Sequence, residues 1–183
     1  MKCREAIELS ERIRLLELEN ARLREQLHFF QRTPTLAQGI KGETLIAKLT
    51  GGVRTGYSEP HDLTVASGAR LEVKISRLNK PNTSATLRWN WHNVLGNSNN
   101  KKYDYLVLIG EKDPRYENQY PRDLAYVLFL VPRSDVDHIR TGKNIAINTN
   151  LARIRAPRSL ALRERLVTAE DRFMNLLRTA EPT

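Results

Sequence analysis

The period of the apolar positions changes near residue 32, and that change sets the expected organisation. Residues 3–31 contain no Pro or Gly and are rich in Glu, Arg and Leu, all favourable in helices. With Ala6 placed at heptad position a, the a and d positions fall on Ala6, Leu9, Ile13, Leu16, Asn20, Leu23, Leu27 and Phe30. A narrow apolar seam broken by one Asn is the pattern of a parallel two-stranded coil, where Asn meets Asn and sets the register. An intramolecular helix shows a wider apolar face. The flanking charges agree with a parallel pair: Arg12 would face Glu17 of a second copy, and Glu19 would face Arg24. Residues 1–31 are therefore expected to be a coiled-coil dimerisation helix, with Ile13, Leu16, Asn20, Leu23 and Leu27 at the homodimer seam. Pro34 cannot continue a helix and biases Thr33 to extended backbone, so residues 32–38 read as a linker.

Beyond residue 38 the pattern becomes that of a mixed α/β unit. Residues 39–49 predict a helix with Ile40, Leu45, Ile46 and Leu49 on one side, stopped by Gly51-Gly52. Residues 62–65 predict a short strand and Ser67-Gly68 a turn. In 69–76 the alternation is regular: Leu71, Val73 and Ile75 on one face, Glu72, Lys74 and Ser76 on the other. A helix is expected over 84–95, carrying Leu87, Trp91 and Leu95. Residues 103–110 and 125–131 are apolar throughout and read as strands buried on both faces. A short helix follows over 134–140 with Ser134 as its N-cap. Residues 141–158 read as polar and irregular, and 159–178 as one long amphipathic helix with Leu162, Leu166, Phe173 and Leu177 inward. The expected division is a domain at 39–158 and a C-terminal helix within 159–183.

Charge sharpens this picture. The 183 residues carry 30 Lys+Arg against 21 Asp+Glu, a formal net charge of +9. The excess is local. Residues 1–32 are nearly balanced, with 7 basic and 6 acidic groups, whereas 70–102 hold 7 basic groups and one acid, Glu72. Residues 133–165 hold 8 basic and 3 acidic groups. Two separate basic stretches form the footprint of a nucleic-acid binder, with Arg77, Lys80, Arg88, Lys101, Lys102, Arg153, Arg155 and Arg158 as the candidate DNA contacts. A single cysteine, Cys3, excludes an internal disulfide. No apolar run approaches the ~20 residues that span a bilayer, and charges throughout 1–11 leave no signal-peptide core. A cytoplasmic protein is expected.

The chemistry concentrates in the predicted hairpin. Glu72 and Lys74, two apart on a strand, point from one sheet face. Asp62 opens the preceding strand, and a hairpin returns it beside Glu72. Two carboxylates can share one hard divalent cation such as Mg²⁺, which favours oxygen ligands and retains water. Lys74 could then hold or deprotonate an attacking water. Glu43, on the helix before the hairpin, could supply a third carboxylate. This sequence of a Gly-Glu helix, Asp62, Glu72-Val73-Lys74 and a basic, aromatic-bearing segment resembles the PD-(D/E)XK nuclease superfamily. The resemblance covers roughly 39–132. His61, with Pro60 before it, stands where the motif has Pro. What the resemblance implies is a restriction-endonuclease-like fold: a mixed central sheet flanked by helices, here preceded by the coiled coil and followed by the C-terminal helix. It also implies a Mg²⁺-dependent phosphodiesterase that cuts DNA and leaves 5′-phosphate ends.

Other residues read more plainly. One of Trp89 and Trp91 is expected in the core. The four histidines, His28, His61, His92 and His138, lack metal-ligand spacing. Residues 144–158 are Arg-rich and could read a DNA groove, with Asn148 and Asn150 suited to adenine. The expected activity is a homodimeric Mg²⁺-dependent endodeoxyribonuclease of restriction or homing type. A junction-resolving nuclease would share every feature, and RNA is not separated from DNA by basic patches alone. A zipper-dimerised DNA-binding protein with this fold and no catalysis is the alternative from another class. Deleting residues 1–31 should convert a dimer to a monomer in light scattering; a truncated protein that stays dimeric would remove the seam.

Overall fold

A computed structural model of the chain describes residues 2–32, 34–56, 58–80, 86–96 and 98–179, with the backbone alone for 2–8, 10, 26–32, 34, 35, 171, 172, 176 and 179. It divides into two units, Met1–Gln38 and Gly39–Thr183. The first contains helix α1 (Lys2–Arg32). Leu9, Ile13, Leu16 and Leu23 on it are exposed, as are Leu15 and Leu18, which lie off the seam. Asn20 Nδ2 donates to Leu16 O at 3.3 Å. The side chain of Leu27 lies outside the described residues. Residues 34–38 of the expected linker lie in helix α2 (Pro34–Thr50), and Thr33 lies outside the described residues. A proline is tolerated at the start of α2 because the first helical turn leaves its N–H groups unbonded in any case.

The second unit is a mixed α/β structure. Its main sheet has five strands: β1 (Val53–Arg54), β2 (Leu63–Thr64), β3 (Arg70–Ser76), β5 (Tyr105–Gly110) and β6 (Val127–Pro132). Their order is β1-β2-β3-β5-β6, with β3 and β5 parallel and all other neighbours antiparallel. The alternation read in 69–76 places Leu71 and Val73 with Val107, Ile109, Leu128 and Leu130 on one face, against Ile46 of α2 and Phe173 and Leu177 nearer the C-terminus. On the opposite face Leu106, Leu108, Val127, Phe129 and Val131 pack with Trp89, Trp91, Ile145 and Ile147. Strands β5 and β6 lie between two cores, which is why their sequences are apolar without a break.

The parallel β3–β5 pair requires a crossover, and here the helix expected over 84–95 is corrected. The described part of that segment forms strand β4 (Arg88–Trp91). Trp89 and Trp91 are 0% and 1% exposed. A spacing of two puts both on one strand face, whereas on a helix it would turn them about 200° apart. Both indoles, not one, are core. Trp89 Nε1 donates to Glu111 O at 2.8 Å and Trp91 Nε1 to Ile109 O at 2.9 Å, so each finds a partner on or beside β5. Gly110 makes this possible: a Cβ there would sit 2.7 Å from Trp89 Cε2.

β4 pairs antiparallel with β7 (Ile145–Asn148), inside the segment expected to be irregular. Ile145 and Ile147 point inward and alternate with Ala146 and Asn148. Helix α3 (Arg133–Ile139) has Pro132 at its N-cap position with no side-chain cap, and Ser134, expected there, lies inside its first turn. The single long helix expected at 159–178 is two, α4 (Pro157–Glu164) and α5 (Glu170–Thr179). The break has a cause. Arg165 O accepts from Leu130 N at 3.0 Å, and Val167 N donates to Leu128 O at 2.8 Å. The chain leaves the helix to satisfy the open edge of β6. Among the described residues no helix is long and apolar enough to cross a membrane.

Asp113 anchors the crossover ribbon. Its carboxylate is 1% exposed. It accepts from Arg115 Nε and Nη2 at 3.0 and 2.7 Å and from Thr149 Oγ1, just beyond β7, at 2.7 Å. The Arg115 hydrogen bonds hold its pKa down to about 2, against the opposing effect of burial. A depressed carboxylate stabilises the fold above its unfolded pKa, and that contribution is lost as pH falls through about 4 to 2. Asp113→Asn is expected to destabilise by about 2 kcal/mol at pH 7, with the deficit vanishing below pH ~2; urea unfolding across that range measures it.

Candidate active site

Strand β2 is only two residues long, so its pairing with β3 ends at Leu71. The Val73 N–H beyond it is taken by the Asp62 side chain, whose Oδ2 accepts at 2.8 Å, while Asp62 N donates to Leu71 O at 2.9 Å. The Asp62 carboxylate thus extends the ladder where the strand stops, and the ladder fixes its position. Glu72 projects from the face of β3 shared with Leu106, its parallel partner on β5. That face borders the Trp-rich core, and Glu72 is 0% exposed.

Two ammonium groups meet the buried carboxylate. Lys74 Nζ donates to Glu72 Oε1 at 2.6 Å. Lys101 Nζ lies 2.9 Å from Glu72 Oε2 and 3.0 Å from Asp62 Oδ1. One ammonium within reach of both acids places the two carboxylates on a single patch. The geometry at Glu72 Oε2 is that of an ion pair at a poor angle, and this buried atom accepts no well-formed hydrogen bond among the described residues. Burial pushes the Glu72 pKa up; Lys74 opposes that push and the Asp62 charge adds to it. For Lys101 burial works against the charge, but Glu72 and Asp62 outweigh it and its pKa rises above the ordinary lysine value.

Lys101 enters this cluster through its loop. Its N–H donates to Leu95 O at 3.2 Å, and Lys102 N donates to Pro60 O at 2.8 Å, beside Asp62. Gly96 has φ +79, and a Cβ there would lie 2.9 Å from Lys101 Cγ and 2.5 Å from Asn100 Oδ1. The run Gly96-Asn-Ser-Asn-Asn-Lys-Lys102 contains residue types that tolerate left-handed backbone, and Asn99 adopts it, with φ 56. That was the available sign of a tight turn aiming a lysine. Lys101, one of the expected DNA contacts, makes ion pairs to Asp62 and Glu72.

The other candidates separate. Glu43 is not joined to the cluster: Arg54 Nη2 and Nε hold its Oε2 at 2.7 and 3.1 Å. Arg77, Lys80, Arg88, Lys102, Arg153, Arg155 and Arg158 are exposed. Arg155 donates to Ala152 O and Ile154 O at 3.0 and 2.8 Å, and Arg158 to Thr141 Oγ1 at 3.1 Å. Asn150 is buried, and its Oδ1 accepts from Gln119 Nε2 at 3.1 Å, so it braces the fold rather than facing a groove. His61 turns its Nε2 to Thr64 Oγ1 at 3.0 Å.

The donor set suits a hard divalent cation of the Mg²⁺ type. Asp62 and Glu72 converge, and Glu72 Oε2 lacks a good donor. Among the described residues no group of three or more His, Cys, Asp or Glu is gathered, so two protein carboxylates would leave the other positions to water and substrate oxygen.

No family model matches the chain, and no curated protein matches its sequence. Among solved structures it is similar to a bacterial homing endonuclease, I-Ssp6803I, at 18% identity and a TM-score of 0.46, over 77% of this chain and 91% of that one.

Removing Lys101 leaves two facing carboxylates, one of them buried. Lys101→Ala is expected to destabilise the metal-free protein by roughly 1–3 kcal/mol, between the values for exposed and buried pairs. Added Mg²⁺ should restore most of that loss in thermal melting.

Proposed function

We propose that the protein is a Mg²⁺-dependent DNA endonuclease of restriction or homing type, acting as a homodimer through α1. The observation that carries this reading is the buried Glu72 carboxylate, shared between Lys74 and Lys101 and set beside Asp62. Burying an ion costs several kcal/mol even after relaxation, and clusters of perturbed, mutually close ionisable groups concentrate at functional sites. The exposed arginines and lysines of the two basic stretches supply attraction for a polyphosphate backbone.

Asp62 and Glu72 would hold the ion. When bound, Mg²⁺ supplies positive charge for the scissile phosphate and lowers the pKa of water. Lys74, tethered to Glu72 at 2.6 Å, presents its remaining N–H groups to a water or a phosphate oxygen. Lys101 balances the carboxylates before the ion arrives and contributes positive charge near the phosphate afterwards. Val73 N locks the Asp62 carboxylate, so its orientation is set before substrate binds. The α1 seam would bring two such sites together, one for each strand of the duplex.

Supercoiled plasmid, incubated with and without Mg²⁺, tests the reading directly. Nicking or linearisation should require the cation. Lys74→Ala should lose at least about 10²-fold in rate, the usual contribution of a positioned proton-transfer group, while retaining DNA binding. Asp62→Asn can still accept from Val73 N, so it should keep the fold and abolish cutting. Metal-independent nicking, or full activity in both variants, would sink the proposal.

A further inference from the structure

Strands β4 and β7 form a separate two-stranded antiparallel ribbon, and its two faces differ completely. Trp89, Trp91, Ile145 and Ile147 are buried on one side. The opposite side carries Arg88, Asn90, Ala146 and Asn148. The register pairs Arg88 with Asn148 and Asn90 with Ala146, and cross-strand partners share a face. Arg88 and Ala146 are exposed, and Asn90 and Asn148 are partly so. Asn148 Oδ1 accepts from Asn150 N at 2.8 Å, which leaves its amide NH₂ group as an available donor.

The sequence flanking each ribbon strand carries charge of one sign. Residues 73–103 contain no Asp or Glu, and neither do residues 138–163. Each ribbon strand lies within one of these acid-free stretches. Lys74, Arg77, Lys80, Arg88, Lys101 and Lys102 belong to the first; Arg140, Lys143, Arg153, Arg155, Arg158 and Arg163 belong to the second. A surface built this way complements a polyanion.

We infer that the outer face of the β4–β7 ribbon is the base-reading surface, inserted in the major groove of duplex DNA. This deepens the nuclease reading and rests on it. A two-stranded ribbon fits a groove about 12 Å wide, and four residues at ~3.3 Å each cover about three to four base pairs. The side-chain types match base edges: Arg88 to guanine N7 and O6, Asn90 to adenine, Ala146 to a thymine methyl group. Asn148 offers a donor beside Arg88. The ribbon is also tied to the catalytic strand, because Asn90 N donates to Ser76 Oγ at 2.9 Å. Ser76 lies two residues from Lys74 on β3. Its rigidity comes from the two indoles beneath it, which hydrogen-bond Ile109 O and Glu111 O.

Selection from a randomised duplex library, with full-length protein in EDTA so that no strand is cut, tests the inference. The wild type should enrich a consensus. Arg88→Gln should move one enriched position from guanine toward adenine, since Gln presents the amide that pairs with adenine. Asn148→Asp keeps the acceptor that caps Asn150 but removes the donor and adds repulsion; it should lose about tenfold or more in discrimination at a position next to that of Arg88. Thermal melting of both variants should match the wild type, because the altered groups lie outside the core. A wild type that binds duplex without base preference overturns the inference and leaves the nuclease reading standing. An unchanged consensus in both variants overturns it likewise. A protein that binds no duplex at all removes the nuclease reading, and the inference with it.

Discussion

A carboxylate held in the interior between two ammonium groups is the constraint on which the site depends. Glu72 is wholly buried, beside the Trp-rich core, where an isolated charge would be driven to its neutral form. Lys74 and Lys101 supply the compensation. Both partners arrive through backbone geometry. Lys74 comes from the period-two alternation of β3, and Lys101 from a left-handed turn at Gly96 that returns the chain to the Asp62 loop. Disturb the turn and the carboxylate loses one of its two cations; disturb the β3–β5 register and it loses its pocket.

The same register joins the site to the two cores. In a parallel pair, residues in register face the same way, so Glu72 and Lys74 stand beside Leu106 and Leu108. The sheet thus presents a charged row on β3 flush with an apolar row on β5. The crossover covers the apolar row with Trp89 and Trp91, while the charged row retains access to solvent through Lys74 and Lys101. A helix in that crossover could bury one indole easily but not two at a spacing of two. The strand buries both and leaves Arg88 and Asn90 outside.

Much of this was legible in the amino-acid order, and the failures have physical reasons. The β2–β3 hairpin could be read because residues 69–76 alternate without exception and Gly68 marks the turn. Strands β5 and β6 could be read because a doubly covered strand is apolar throughout. Residues 84–95 were read as a helix because Leu87, Trp91 and Leu95 recur at intervals of four, which hid the stronger signal of Trp89 beside Trp91. Strand β7 was obscured by the asparagines in and around it, of which Asn148, the one within the strand, belongs on the outer face. The break at 165–169 arises from hydrogen bonding to the β6 edge, a tertiary demand with no local mark. The ion pairs of Lys101 have no local mark for the same reason: a lysine pair in a polar loop reads as solvated until the turn that aims it is known. Glu43 was placed near the acids by its helix alone, and Arg54 on the short edge strand β1, which the pattern did not reveal, takes it.

Charge explains why the acids are so few and so placed. Between Glu72 and Asp104 the chain carries only cations, and the same holds between Asp137 and Glu164. Within these two stretches and the hairpin before them, a phosphate backbone would meet carboxylates at Asp62 and Glu72. Two unpaired carboxylates there would repel the group they are proposed to cleave. With Lys74 and Lys101 in contact, the four charges cancel, and the approaching backbone meets a neutral spot within a positive field. A divalent cation entering the cluster would turn that balance positive where the scissile phosphate must sit. Lys101 therefore serves two ends with one ammonium: it offsets the charge of both carboxylates, and in the proposed function it would keep them from opposing the substrate before a metal is present.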